Sequence, residues 1–341
     1  MMKKVAINKR ALQISLYVLF AVLPFIAIFV SLFIGNYHLT GKEVFDILFH
    51  PNDVTINQYV VVWHLRLPRA IAAAMVGAAL SVSGAAYQGV FRNPLVNSGM
   101  LGVSNGAGFG ACFAIILLGG GVLTYFTSFA FAVLAVTLAW LAGRVYGHTT
   151  TTSLILGGVV ISALFSALIS IMKFVADPYS QLPAITFWFM GSFASINYTH
   201  FWAFIPMGVG MILIFISRWQ INVLSMGDRE AKALGVNVKL FKLLIIGGAT
   251  LATASAVCIS GTIGWVGLVV PHIGRMIVGN NNKKLIPISA AIGASFMVIV
   301  DIIARSVTTS ELPVGIITAI IGTPFFIYLL KKTKGKQWND G

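Results

Sequence analysis

Charge is what this chain has least of. Only 9% of its 341 residues are Asp, Glu, Lys or Arg, where a soluble domain carries roughly 25%. Acids are scarcer still: 9 Asp and Glu stand against 23 Lys and Arg, a formal net charge of +14. A soluble domain so poor in charge would expose large apolar patches and aggregate, so a soluble globular protein is excluded. With 58% hydrophobic residues, intrinsic disorder is excluded too. The two cysteines, Cys112 and Cys258, each sit in a long apolar run, which favours buried free thiols over a disulfide framework. No secretory cleavage signal is expected, because the first apolar run is too long for an h-region and lacks a small-residue cleavage site. There is no G-x-x-x-x-G-K-[ST] phosphate loop and no spaced His, Cys or carboxylate cluster that reads as a metal site, so an enzyme is not expected.

What the chain has is apolar length. A bilayer-crossing helix needs about 20 apolar residues. Charge-free stretches divide into ten predicted spans, roughly 13–35, 68–90, 98–118, 122–142, 153–174, 200–217, 242–261, 265–278, 285–304 and 313–330. The expectation is an all-α membrane protein, one transmembrane domain over residues 1–341. Its eighth span is short, hence tilted or packed within protein. An even count puts both termini on one side. That side collects 18 of the 23 cations, and the other holds Lys42, Arg66, Arg69, Lys173 and Arg305. The excess of positive charge places both termini in the cytoplasm. Acids divide the other way, with Asp228, Glu230 and Asp340 inside and Glu43, Asp46, Asp53, Asp177, Asp301 and Glu311 outside. The outer connection 176–199 carries Pro178, Pro183 and Trp188, with Trp202 just beyond, which suits a short interfacial helix.

An ion-coupled transporter would place ionisable groups near mid-membrane. The spans hold almost none: Asp301 and Lys173 fall near outer ends, where snorkelling or capping accounts for them, and His272 reads as a satisfied buried histidine. Gly106, Gly108 and Gly110 look faintly like a phosphate cradle, but Gly102 and Gly106 form a small-residue step that reads as helix packing. The driving energy must then come from a partner. The inner connection 218–241 contains a short helix signal, with Asp228 and Glu230 at its start, Ala231 to Leu234 as helix formers and Gly235 as its stop. It is either a docking knob for a soluble subunit or a solvated loop.

These elements carry a resemblance. The chain reads Arg66-Leu67-Pro68-Arg69, Gly77-Ala78-Ala79-Leu80, Ser83-Gly84, Gln88 and Arg92-Asn93-Pro94-Leu95, then Leu101-Gly102-Val103, Gly191-Ser192 and Gly227-Asp228 to Leu234-Gly235. The longest block runs from 261 to 279 as GTIGWVGLVVPHIGRMIVG, followed by Leu285-Ile286-Pro287, Asp301, Ala304-Arg305, Glu311-Leu312-Pro313 and Gly322-Thr323-Pro324. In this order and spacing the chain resembles the permeases of iron-chelate and cobalamin ABC importers, the FecCD-type family, over nearly its whole length.

The resemblance implies ten transmembrane helices per subunit in a bacterial cell (inner) membrane. It implies a dimer of permeases, homo- or heterodimeric, with two cytoplasmic ATPase subunits and an extracytoplasmic substrate-binding protein. This chain would hold no cofactor; ATP and Mg would sit on the ATPase. The cargo would be a metal chelate, a ferric siderophore first, with haem, cobalamin or molybdate as alternatives. Arg66, Arg69 and Arg305 match residues that dock carboxylates of the binding protein, a contact arginine suits by its bidentate geometry; the alternatives are snorkelling or pairing to Asp301 or Glu311. Gly227, Asp228, Arg229, Glu230, Ala231, Leu234 and Gly235 match the ATPase-coupling segment. Thr151 and Thr152 match a cytoplasmic gate region, although residues 149–152 also make an ordinary N-cap cluster. Departures are Trp265 in place of a frequent Phe, Val96-Asn97-Ser98-Gly99 in place of a Pro and Asp after the Arg-Asn-Pro-Leu block, and Asn281-Asn282-Lys283 near an Asp-His-Arg turn. The competing classes are a stand-alone ion-coupled secondary transporter and a channel-like membrane protein.

Overall fold

The computed structural model describes residues 2–50, 54–145 and 148–337, so Asp53 and Asp340 lie outside the described residues. In chain order the helices are α1 (Met2–Ser31), α2 (Gly41–Phe49), α3 (Ile56–Tyr59), α4 (Leu67–Phe91), α5 (Val103–Leu117), α6 (Val122–Ala142) and α7 (Thr151–Val175). They continue as α8 (Gln181–Met190), α9 (Phe204–Ile216), α10 (Arg218–Met226), α11 (Asp228–Ala233), α12 (Val238–Ser260), α13 (Val266–Val278), α14 (Asn282–Ser306) and α15 (Val314–Gln337). A π turn, Val60–Arg66, joins α3 to α4 into one helix over Ile56–Phe91. A two-residue antiparallel ladder, Arg144–Val145 with His148–Thr149, closes the α6–α7 turn.

Helices occupy all ten predicted segments. Six helical stretches are long and apolar enough to cross a membrane by length and composition: Ile56–Phe91, Val122–Ala142, Thr151–Val175, Tyr198–Ile216, Val238–Ser260 and Asn282–Ser306. Shorter apolar helices fill the other four, Tyr17–Ser31, Val103–Leu117, Val266–Val278 and Val314–Leu329. The short helix expected between 176 and 199 is α8, and the connection before α4 also folds, as α2 and α3. Local chemistry sets the starts. Thr40 and Thr150 form capping boxes with Glu43 and Ser153, while Asn237 and Asn281 accept backbone N–H groups at the starts of α12 and α14.

Helix α4 is central, and most of its residues are buried against α14, α12 and α13. Small residues make this possible. A Cβ at Gly77 would collide with the Gly293 carbonyl of α14, and one at Gly84 with the Gly267 carbonyl of α13. Backbones therefore approach directly, the packing that substitutes for hydrophobic drive between membrane helices. The expected Gly102–Gly106 step is corrected by one turn. Gly102 caps α5 at φ +87°, and the packing pair is Gly106 and Gly110, set against the Phe131 and Thr127 carbonyls of α6. Cys112 and Cys258 are buried and free, as expected.

Candidate functional site

The chemistry-bearing side chains gather at the two ends of α4. At its start the π turn and α4 place Arg66 and Arg69 beside the last turn of α14. Arg69 Nε donates to Asp301 Oδ1 at 2.7 Å and Nη1 donates to Glu311 Oε2 at 2.8 Å. Arg305, one turn beyond Asp301 on α14, stands 3.8 Å from Asp301 Oδ2 and donates to the Ser31 carbonyl at 2.6 Å. Arg66 donates to the Leu32 carbonyl at 2.6 Å and also to that of Tyr37. Two arginines thus satisfy carbonyls at the C-terminal end of α1, where cations are favoured and backbone acceptors lack helical partners.

Two expectations change here. Asp301 is not a peripheral, snorkelling carboxylate: it is 0% exposed and ion-paired. Nor are Arg66, Arg69 and Arg305 a free outer patch. They are only 4%, 7% and 5% exposed, because their donors tie α1, α4 and α14 together. Arg69 pairs with Asp301 and Glu311, Arg305 stands against Asp301, and Arg66 bonds to backbone carbonyls instead. The arginines still share a cavity of about 210 Å³ with Glu311, Asn36 and Tyr37, and the cluster holds three cations against two carboxylates. Glu311 has a left-handed φ of +48°, a conformation that disfavours a side chain, and its carboxylate is a third exposed. Lys173, the other supposed snorkeller, lies over the Phe189 ring, 4.7 Å from its centroid.

At the far end of α4 the predicted knob is a real helix. Gly227 (φ +145°) breaks α10 from α11, and α11 spans Asp228–Ala233. Its stop is a Schellman motif: Val236 N–H donates to the Ala231 carbonyl and Gly235 N–H to that of Lys232, with Gly235 at φ +77°. Asp228 is ion-paired to Lys242 of α12 at 2.6 Å, and Ala231 is buried beneath the helix. Arg229, Glu230, Lys232, Ala233 and Leu234 remain exposed. Of the seven predicted coupling residues, Gly227, Asp228, Ala231 and Gly235 therefore build the knob. Arg229, Glu230 and Leu234 are its free face.

Thr151 and Thr152 open α7, but the cap is Thr150, whose hydroxyl accepts the Ser153 N–H at 3.1 Å. The Thr151 hydroxyl is buried without a hydrogen-bond partner among the described residues, and Thr152 is exposed. Sequence reasoning gave no role to Gln88, Arg92 and Arg275, which the fold brings together at the inner end of α4. All three lie within the motifs that carry the family resemblance. Only the packing of α4 parallel to α13 and antiparallel to α14 reveals that they meet.

The FecCD transport family model matches residues 23–332. The chain is 40% identical to the molybdate import system permease protein MolB of Haemophilus influenzae over 91% of this chain and 94% of that protein. It is 41% identical to a protein of Helicobacter pylori named as a probable iron chelatin transport system permease, over 81% of this chain and 84% of the relative. Among solved structures, an inward-facing ABC transporter assigned to the metal-chelate type superposes with a TM-score of 0.84 at 37% identity, covering 93% of this chain and 99% of the other.

Proposed function

This chain belongs to the FecCD transport family as a permease of an ABC importer, and on that premise we propose its cargo, its partners and its working cycle. The cargo is a metal chelate of the ferric siderophore type. The likeness to the metal-chelate transporter and to the iron chelatin permease supports this reading. A second reading, molybdate, is favoured by the longer alignment to the molybdate permease.

The permease pairs with a second permease subunit, and two cytoplasmic ATPase subunits supply energy through ATP and Mg. The chain lies in the bacterial cytoplasmic membrane with both termini inside, as its cation asymmetry indicates. The observation that carries the reading is α11. It is a self-capped helix with an exposed Arg229, Glu230 and Leu234 face, held to α12 by Asp228 and Lys242. Such a knob passes the motion of a docked ATPase directly into a spanning helix. At the other end, the cavity floored by Arg66, Arg69 and Arg305 receives a carboxylate of the binding protein. One uncompensated cation and the exposed edge of Glu311 leave room for that exchange. Thr151 and Thr152 stand at the inner gate. The bistable element is the packing between the two permease subunits.

The test is reconstitution in liposomes with the ATPase and binding protein, following iron-loaded siderophore and molybdate separately. ATP-dependent uptake of the chelate alone is expected. Uptake driven by an ion gradient without ATP overturns the mechanism, and ATP-dependent uptake of molybdate alone replaces the cargo.

A further inference from the structure

The end of α4 that carries Arg92 opens into a cavity of about 490 Å³ where α4 and α13 stop and α14 starts. Arg92, Asn93, His272, Arg275, Asn280 and Asn282 line it, and no Asp or Glu among the described residues does. Among the described residues, neither Arg92 nor Arg275 forms an ion pair, although Arg69, Lys242 and Arg305 each have a carboxylate.

The wall is built rather than incidental. Gln88 donates Nε2 to the Val96 carbonyl at 3.1 Å and to the Gly267 carbonyl at 3.4 Å, which fixes its amide. The Gln88 oxygen then accepts one arm of Arg275. That arm anchors the guanidinium and leaves its remaining donors to the cavity. Asn93 accepts the Leu95 N–H at 2.9 Å through its carbonyl oxygen, so its amide NH₂ remains a donor. The first turn of α14 begins at Asn282, adding the positive end of a 25-residue helix. The C-termini of α4 and α13 offset part of this field. Their partial charges, about half an elementary charge each, do not cancel two full guanidinium charges.

Two arginines, several amide donors and no carboxylate make an oxyanion site. We propose that this cavity binds a phosphate-class anion, supplied either as free phosphate or as the phosphodiester of an anionic phospholipid headgroup. Arg92, at the rim in the left-handed C-cap position of α4 (φ +53°), and Arg275, in the wall, are the charged ligands. The site does not depend on the cargo carried.

The test uses the full chain, purified and delipidated in detergent. Inorganic phosphate binding is followed by ³¹P line broadening, and retention of phosphatidylglycerol against uncharged diacylglycerol by native mass spectrometry. Arg92→Gln should weaken binding about tenfold, the loss of one charge-assisted contact, and Arg92→Lys should restore part of it. Arg275→Gln, checked for an unchanged helical spectrum, should act at least as strongly. Phosphate binding without lipid retention assigns the free anion; lipid retention alone assigns the headgroup. Two results overturn the proposal. One is binding of neither probe by the unaltered chain, or undiminished binding in both variants. The other is an Arg92→Gln chain whose only defect is weaker assembly with the ATPase, which would give the cavity to a partner carboxylate.

Discussion

Helix α4 has arginine near both ends, and the molecule treats the two ends oppositely. At the start, Arg69 is closed against Asp301 and Glu311, and Arg66 caps carbonyls of the segment after α1. At the finish, Arg92 and Arg275 face a cavity with no carboxylate among the described residues. The same residue type serves first as a tie between helices and then as an unfilled receptor. The difference lies in the partner helix: α14 delivers Asp301 to the first end and its amide-rich N-terminus to the second.

The largest effect that would sharpen this contrast is Asp301→Ala. It takes from buried Arg305 its one carboxylate among the described residues and from buried Arg69 one of two, and should lower stability by about 3–5 kcal/mol. Arg92→Ala, at the exposed rim, should stay within about 0.5 kcal/mol. Denaturant unfolding in detergent measures both, and equal losses would erase the distinction between the ends. Between them, Gly84→Val tests whether α4 is held by direct backbone contact with α13. A side chain there meets the Gly267 carbonyl, so a loss of about 1–3 kcal/mol is expected from overpacking.

Asp228→Ala removes the partner of buried Lys242. Because Asp228 itself is more than a third exposed, only about 1 kcal/mol should be lost. ATPase stimulation should nevertheless fall, since this pair joins α11 to α12. Leu234→Ala should leave stability within about 0.5 kcal/mol while also reducing stimulation. Normal stimulation in both variants would remove α11 from the energy path.

The smallest effect concerns α2, beside the closed end. The Thr40 N–H and hydroxyl hold the Glu43 carboxyl below its usual range. A depressed carboxylate supports the fold above its ordinary pKa and ceases to do so as pH falls through the lowered value. The Glu43 carboxyl shift, followed by NMR at stepped pH, should move only on the acid side of the ordinary glutamate range, with exchange protection of the Thr40 N–H lost over the same interval. A Glu43→Gln chain should show no such step.

Much of the fold was legible because apolar length and charge asymmetry are one-dimensional signals. The α11 knob was legible for the same reason: its start, its helix formers and its Gly235 stop are adjacent in sequence. Asp301 was misread because position along a helix says nothing about which way the side chain turns. One turn of α14 separates it from Arg305, but 232 positions separate it from Arg69. The Gln88–Arg275 contact, 187 positions apart, was invisible for the same reason. Gly102 misled differently: a small residue one turn before Gly106 serves as a cap as readily as a packing surface.

The π turn at Val60–Arg66 sets the angular phase of the first span. Leu67 N–H reaches back to the Val62 carbonyl, one residue farther than an α turn allows. That surplus residue offsets α3 and the chain before it by about 100° relative to α4. Trp63 can therefore donate to the Ile47 carbonyl of α2 while Arg66 and Arg69 meet α1 and α14. Substitutions along this stretch leave that offset unchanged, whereas deleting one residue would rotate α2 and α3 out of register with the arginines. The segment is tuned in length, and insertions or deletions would be read there as changes of direction.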